Sequence, residues 1–191
     1  MTVGKGRIAS GVRLRPWQEA DVPELVRLAG SRRLADQLRD TFPHPYTTEA
    51  GRGWVALANA QSPVTHLAVV CDVVLVGSAG YVPGRDVERV SAEVGYWVGE
   101  PHWGRGLATA ALVALVNHVC DRGGFTRLFA LPFARNAASR RVLEKAGFTL
   151  DAVLRQSAIK GGRVTDQALY SLVLSERERS AEQGDTPQPA P

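Results

Sequence analysis

The sequence predicts a mixed α+β fold: a sheet of about seven strands flanked by helices on both faces. Three observations carry that reading. Segments 65–71, 73–81 and 90–98 follow one another with β-rich composition, two-residue alternation and short turns, as in an antiparallel meander. Helix-like segments stand before, between and after strand-like ones instead of forming one block. The antiparallel middle argues against a doubly wound parallel sheet.

In chain order, Val12 and Leu14 alternate with Arg13 and Arg15, the pattern of a short strand. Asp21 and Pro23 then open a helix that carries Leu25, Val26 and Leu28. Leu34 and Leu38 give residues 31–45 a helical beginning, which Phe42, Pro43, His44 and Pro45 break. A helix restarts near Thr47 and Thr48 and runs toward Ala60. The meander follows, with a tight turn at Cys71 and Asp72. An almost wholly apolar helix occupies 106–121, a strand 127–131, and a further helix 137–146, stopped by Gly147. Segments 148–159 and 164–174 are two more strands, joined by the turn Lys160-Gly161-Gly162-Arg163.

At 191 residues the chain fits one domain, placed at 11–174, with flexible ends at 1–10 and 175–191. Apolar residues make up 45% and charged residues 22%, which excludes general disorder. The longest apolar run, 107–116, is too short to cross a bilayer, and the charged start lacks a following apolar stretch, so the expected location is the cytoplasm. Cys71 and Cys120 read as buried reduced thiols. His44, His66, His102 and His118 lack partner spacing, so no metal is expected. The net charge is +4, and the last 17 residues carry −2, leaving +6 on the body. Such a body suits an anionic partner, but scattered basic residues without a recognition motif do not point to nucleic acid.

The passage Gly99-Glu100-Pro101-His102-Trp103-Gly104-Arg105-Gly106-Leu107-Ala108-Thr109 joins a strand to the apolar helix. A strand-to-glycine-to-helix turn points unpaired N–H groups at one spot, at the positive end of the helix dipole, where a phosphate fits. Gly104 and Gly106 let an anion approach the backbone, although two glycines alone equally fit a tight turn. Further on, Asn136 precedes a helix in which Ser139, Val142, Leu143 and Ala146 share one stripe. Asn136 and Ser139 read either as a helix cap and a satisfied hydroxyl, or as polar groups facing a cleft.

Together, Gly95-Tyr96-Trp97-Val98, the glycine turn 103–109 and the segment Arg135-Asn136-Ala137-Ala138-Ser139 through Gly147-Phe148 resemble the GNAT superfamily of N-acetyltransferases. They are most similar to its RimJ/RimL branch, which modifies the N-termini of ribosomal proteins. One departure is Pro101, where many members carry Gln or Arg. The resemblance implies a GNAT-like, mostly antiparallel sheet splayed between strands four and five. It also implies acetyl-coenzyme A as cosubstrate, its pantetheine arm pairing with the backbone at Trp97 and Val98. The pyrophosphate would lie on Trp103, Gly104, Arg105, Gly106, Leu107, Ala108 and Thr109, and Asn136 would bond the arm.

The expected reaction is direct attack by a primary amine, a protein N-terminus or a small molecule, with no covalent enzyme intermediate. The resemblance assigns Ser139 to the departing sulfur and a backbone N–H near Val98 to the carbonyl oxygen. Tyr96 and Tyr170 are weaker acid candidates that also read as core or rim aromatics. Glu93 shares a strand face with Trp97 and is the candidate base, or else a solvent-facing residue. An α-amine titrates near 7.7–8.0 and a lysine side chain near 10.4, which favours an N-terminal or small amine. Residues 36–45, Arg155 and Ser157 are expected to set acceptor specificity. A non-catalytic coenzyme-A-binding module and use of another acyl group are the alternatives, and a homodimer is left open.

Overall fold

The computed structural model describes residues 11–174; the ends expected to be flexible, 1–10 and 175–191, lie outside the described residues. One sheet runs in the order β1-β2-β3-β4-β5-β7-β6. Its strands are β1 (Val12–Arg15), β2 (His66–Cys71), β3 (Val74–Pro83), β4 (Ser91–Val98), β5 (Arg127–Ala130), β6 (Thr149–Lys160) and β7 (Arg163–Val173). All neighbours pair antiparallel except β4 with β5, so the expected meander is β2-β3-β4. The β2–β3 turn falls at Asp72 and Val73, one residue later than the sequence suggests, with Asp72 at φ 56°.

The helices are α1 (Val22–Ala29), α2 (Arg32–Ala35), α3 (Thr48–Asn59), α4 (Leu107–Arg122) and α5 (Ala137–Lys145). Each sheet face buries its own apolar set. On one face Leu25 and Leu28 of α1 and Val55 and Ala58 of α3 pack with Ala68 and Leu75. On the other, Leu112 and Leu115 of α4 and Leu143 of α5 pack with Val69, Val76, Val94 and Leu128. The alternation of β4 divides accordingly: Ala92, Val94 and Val98 are buried toward α4, while Glu93, Gly95 and Trp97 face the α1–α3 side.

Side-chain caps start three helices: Ser31 accepts from Leu34 N–H, Thr47 from Ala50 N–H and Asn136 from Ser139 N–H. Helix α4 instead starts on bare Gly106 in the left-handed region, at φ 76°. Leu38 lies beyond α2, which ends at Ala35, shorter than the apolar spacing suggests. The chain tightens there into i→i+3 bonds, Gln37 N–H to Leu34 O and Leu38 N–H to Ala35 O. Arg39 and Asp40 then turn away to partners on β4 and β6. Cys71 and Cys120 form no disulfide, and both are half-buried instead of buried as expected.

Candidate active site

The site begins with an unfinished strand pairing. Strand β5 pairs with β4 only at Ser91, Ala92 and Glu93, and beyond Glu93 the two strands part. The bonds Gly84 N–H to Ser91 O and Gly99 N–H to Val76 O fix the alternation at both ends of the β3–β4 ladder. Odd residues of β4 therefore turn their backbone groups to β3, and Val94, Tyr96 and Val98 turn theirs to the gap. Trp97 thus has its backbone bonded across to β3. The Val98 carbonyl accepts the indole N–H of Trp103 at 2.6 Å, which leaves the Val98 N–H facing the gap.

The glycine turn stands at one end of this gap. Gly104 and Gly106 have φ of 74° and 76°, a region that costs a side-chain-bearing residue about 1 kcal/mol or more. The first helical bond of α4 is Ala110 N–H to Gly106 O, so the N–H groups of Leu107, Ala108 and Thr109 precede it and point out of the helix end. A Cβ at Gly104 would meet nothing within 4 Å, so the approach to those donors is open. Glu100, just before the turn, accepts from Ser31 Oγ at 2.6 Å and pairs with Arg33, tying α2 to the turn. The Arg33 guanidinium also lies 5.1 Å above the Trp103 ring.

Across the gap, Asn136 and Ser139 open α5. Asn136 Oδ1 accepts from Ser139 N–H at 3.0 Å, so the carbonyl half of its amide serves as the helix cap. The Tyr96 phenol lies 3.0 Å from Ser139 Oγ and 3.1 Å from Ser139 O. Burial raises the Tyr96 pKa above its ordinary value and outweighs the Ser139 hydrogen bond, which acts to lower it. The phenol therefore stays protonated through neutral and mildly alkaline pH. Tyr170, the other aromatic acid candidate, is fully buried and donates to Glu144 at 2.7 Å while accepting from Arg140 at 3.2 Å. It lies away from the cleft as a core residue, in line with one of its two sequence readings.

Glu93 lies on the opposite face of β4 from Tyr96, at the point where the strands part. It pairs with Arg39 of the loop after α2. That loop is held at two further points: Lys160 Nζ donates to Asp40 at 2.7 Å, and Arg135 donates to Asp36 O at 3.1 Å. Loop residues 36–43 do line the cleft, apart from Asp40, whereas Arg155 and Ser157 on β6 do not.

One cleft of about 1130 Å³ joins these parts, running from the glycine turn past the gap to α3. The proposed base Glu93, Ser139 and the cosubstrate-binding residues read from the sequence all line it except Arg105, whose guanidinium turns toward His102 Nδ1 at 3.4 Å. Sequence reasoning included Arg39 only within the loop 36–45 and missed its pairing with Glu93, because no local pattern marks a partner 54 positions away. It also missed the Tyr96–Ser139 link, although both residues had been singled out. Among the described residues no helix is long and apolar enough to span a membrane, and no group of three His, Cys, Asp or Glu could hold a metal ion.

Comparison with known proteins gives a consistent family. The family described as "Acetyltransferase (GNAT) domain" matches residues 12–149. An uncharacterized N-acetyltransferase, YoaA of Bacillus subtilis, is 34% identical over 52% of this chain and 55% of its own length. The ribosomal-protein-serine acetyltransferase of Escherichia coli is 32% identical over 44% of this chain and 47% of its own. The matches thus span about half the length of these curated relatives. Among solved structures, RimL, a ribosomal L7/L12 alpha-N-protein acetyltransferase in complex with coenzyme A, superposes with a TM-score of 0.76. That likeness covers 87% of this chain and 96% of RimL at 23% identity, so it speaks for the fold. With its seven-stranded sheet opening between β4 and β5 and a family match over most of its length, the chain belongs to the GNAT acetyltransferases.

Proposed function

We propose that the protein transfers an acetyl group from acetyl-coenzyme A to a primary amine by direct attack. The observation that carries this reading is the free edge of β4 lying beside the unpaired N–H groups of the glycine turn. An extended amide-bearing arm fits the edge, a pyrophosphate fits the turn, and both belong to one molecule, coenzyme A. The residues present fit that group: Gly104 leaves room for phosphate oxygens, and the Val94, Tyr96 and Val98 backbones offer a ladder. When bound, the cosubstrate supplies the activated acetyl group. The Asn136 NH₂ group remains to bond the arm while its oxygen caps α5.

On the α5 face, Ser139 delivers a proton or hydrogen bond to the departing sulfur, positioned by Tyr96. The Val98 N–H is assigned to the thioester oxygen. On the other face, Glu93 receives the incoming amine and takes its proton as nitrogen bonds to carbon. The two catalytic side chains thus approach the reacting atoms from opposite sides of β4. The acceptor is an N-terminal α-amine or a small amine, as the names of the relatives acting on ribosomal proteins suggest, and the expected location is the cytoplasm. The proposed catalytic domain spans residues 11–174.

A free-thiol assay with acetyl-coenzyme A and a panel of amines and N-terminal peptides tests this reading. Amine-dependent thiol release is expected. Calorimetric binding of acetyl-coenzyme A without release for any amine would leave a coenzyme-A-binding module in its place.

A further inference from the structure

The cleft continues past Glu93 into a strip that the acetyl-transfer chemistry does not use. Gly80 of β3 and Gly95 of β4 stand directly opposite each other in the ladder. Neither has a side chain; a Cβ at Gly80 would already meet Thr65 O at 2.7 Å and His66 Cδ2 at 3.2 Å, so the open part of the floor lies at Gly95, with His66 on one side and Glu93 and Trp97 on the other. A Cβ at Gly95 would meet nothing within 4 Å, and the same holds for Gly53 on the facing helix.

Helix α3 has two apolar faces. Gly51, Val55 and Ala58 are buried, Gly51 fitting against Val22 and Val26 of α1. The second stripe, Ala50, Gly53, Trp54 and Leu57, lies at helical spacing and lines the cleft. Leu57 stays 59% exposed, and Val82 at the edge of the floor 55% exposed. Such apolar surface gathered around a concave floor marks a binding groove.

Two polar groups of the strip are already occupied. Ser78 Oγ donates to Leu67 O at 3.2 Å, and His66 Nδ1 lies 3.0 Å from Thr65 Oγ1 and 3.1 Å from Gln61 Oε1. Burial also lowers the His66 pKa, which keeps the ring neutral. A sugar or a second ammonium placed here would find few partners. Basic Arg33, Arg39, Arg141 and Lys145 around the cleft oppose a polycation as well. One end of the strip differs, because it carries the Glu93 carboxylate, paired with the exposed Arg39, and the buried Gln37 Oε1, which has no hydrogen-bond partner. Both are acceptors that suit an ammonium.

We propose that the strip over Gly80 and Gly95 is a subsite for an apolar group of the acceptor, aliphatic or aromatic, carried next to its primary amine. This inference rests on the acetyl-transfer reading and names the acceptor class within it. The apolar group lies on the glycine floor against Trp54 and Leu57, and the amine points to Glu93. The same chemistry is found in a peptide that begins with a large apolar residue and in a free arylalkylamine or branched alkylamine.

The test uses the full chain with saturating acetyl-coenzyme A and two matched acceptor series. One series consists of peptides differing only in a first Ser, Ala, Leu or Phe. The other consists of ethanolamine, isopentylamine, phenethylamine and spermidine. The apolar members of at least one series are expected to exceed the polar members in kcat/KM by about tenfold or more, and the responding series identifies the source. Gly95→Val fills the floor and Leu57→Asp makes its wall polar. Each variant is expected to abolish the preference while leaving acetyl-coenzyme A affinity unchanged.

Equal rates within both series, a preference for Ser, ethanolamine or spermidine, or a preference that survives in both folded variants would overturn the subsite. Phenethylamine binding, followed by tryptophan fluorescence, separates this failure from failure of the acetyl-transfer reading. Binding that Gly95→Val abolishes, without thiol release from any amine, upholds the subsite and sinks the acetyl-transfer reading. Absence of both binding and preference sinks the subsite.

Discussion

The Tyr96 phenol, 3.0 Å from Ser139 Oγ, joins the free edge of β4 to the first turn of α5. At this contact the phenol holds the serine, and its buried environment keeps the phenol protonated. If Ser139 acts on the departing sulfur, Ser139→Ala lowers kcat about 10- to 100-fold and leaves acetyl-coenzyme A affinity nearly unchanged. Tyr96→Phe lowers kcat less, because the serine keeps its place at the start of α5. Steady-state kinetics with calorimetry checks both, and full kcat in Ser139→Ala would make the hydroxyl a helix-terminus group only.

Arg39 occupies Glu93 in the absence of an acceptor. An incoming ammonium must take over that carboxylate, so Arg39→Ala is expected to lower the KM for amines. An exposed pair is worth up to about 1 kcal/mol, which sets the change at roughly fivefold. Glu93→Gln acts in the other direction, lowering kcat about 100-fold by removing the base. Initial rates over a range of amine concentrations separate the two effects. A raised KM in Arg39→Ala would mean that the loop's grip on β4 helps acceptor binding instead of competing with it.

Gly106 supplies the left-handed start of α4 beside the unpaired N–H groups. Gly106→Glu places a negative side chain where phosphates are expected, and calorimetry should detect no acetyl-coenzyme A binding at millimolar concentration. Gly106→Ala separates strain from charge: it should cost about 1 kcal/mol of stability by denaturant unfolding and retain weakened binding. Normal binding by a folded Gly106→Glu protein would place the phosphate site elsewhere.

Asp21 is buried at 7% exposure and receives two hydrogen bonds from Arg15, at 2.6 and 2.7 Å, and a third from Gln18 N–H at 2.8 Å. Burial pushes its pKa up, but the Arg15 and Gln18 hydrogen bonds and the Arg15 charge outweigh it, and the net shift is downward. A depressed folded-state pKa stabilises the fold above the unfolded value of about 3.9, and that stability is lost as pH falls through the folded value. Asp21→Asn is therefore expected to cost about 1–3 kcal/mol near neutral pH and much less in strong acid. Urea unfolding at several pH values measures the difference, and a loss independent of pH would assign the effect to packing.

The parts of the site legible in the sequence are those whose signal is local. Alternation at 90–98, the paired glycines at 104 and 106, and Asn136 three positions before Ser139 each fit within one or two turns of chain. The order of elements followed from the same short-range patterns, as did the start of each capped helix. Contacts across the fold left no such trace. Tyr96 and Ser139 are 43 positions apart, and Arg39 and Glu93 are 54 apart. Nor could spacing alone reveal that α2 stops at Ala35, because the residues that draw the chain away, Arg39 and Asp40, find their partners on distant strands. Trp103 was legible as part of the glycine turn, but its indole bond to Val98 O depends on how the turn folds back.

The open edge of β4 and the bare start of α4 also bear on how the reaction responds to its own progress. The groups assigned to hold the cosubstrate grip its phosphates and its amide arm, which acetyl-coenzyme A and coenzyme A share. Loss of the acetyl group removes almost none of those contacts, so the spent carrier binds about as well as the charged one. Free coenzyme A should then compete with acetyl-coenzyme A at similar concentrations, and turnover should slow as it accumulates. An enzyme built this way responds to the proportion of its carrier that is acetylated, more than to the total amount of carrier.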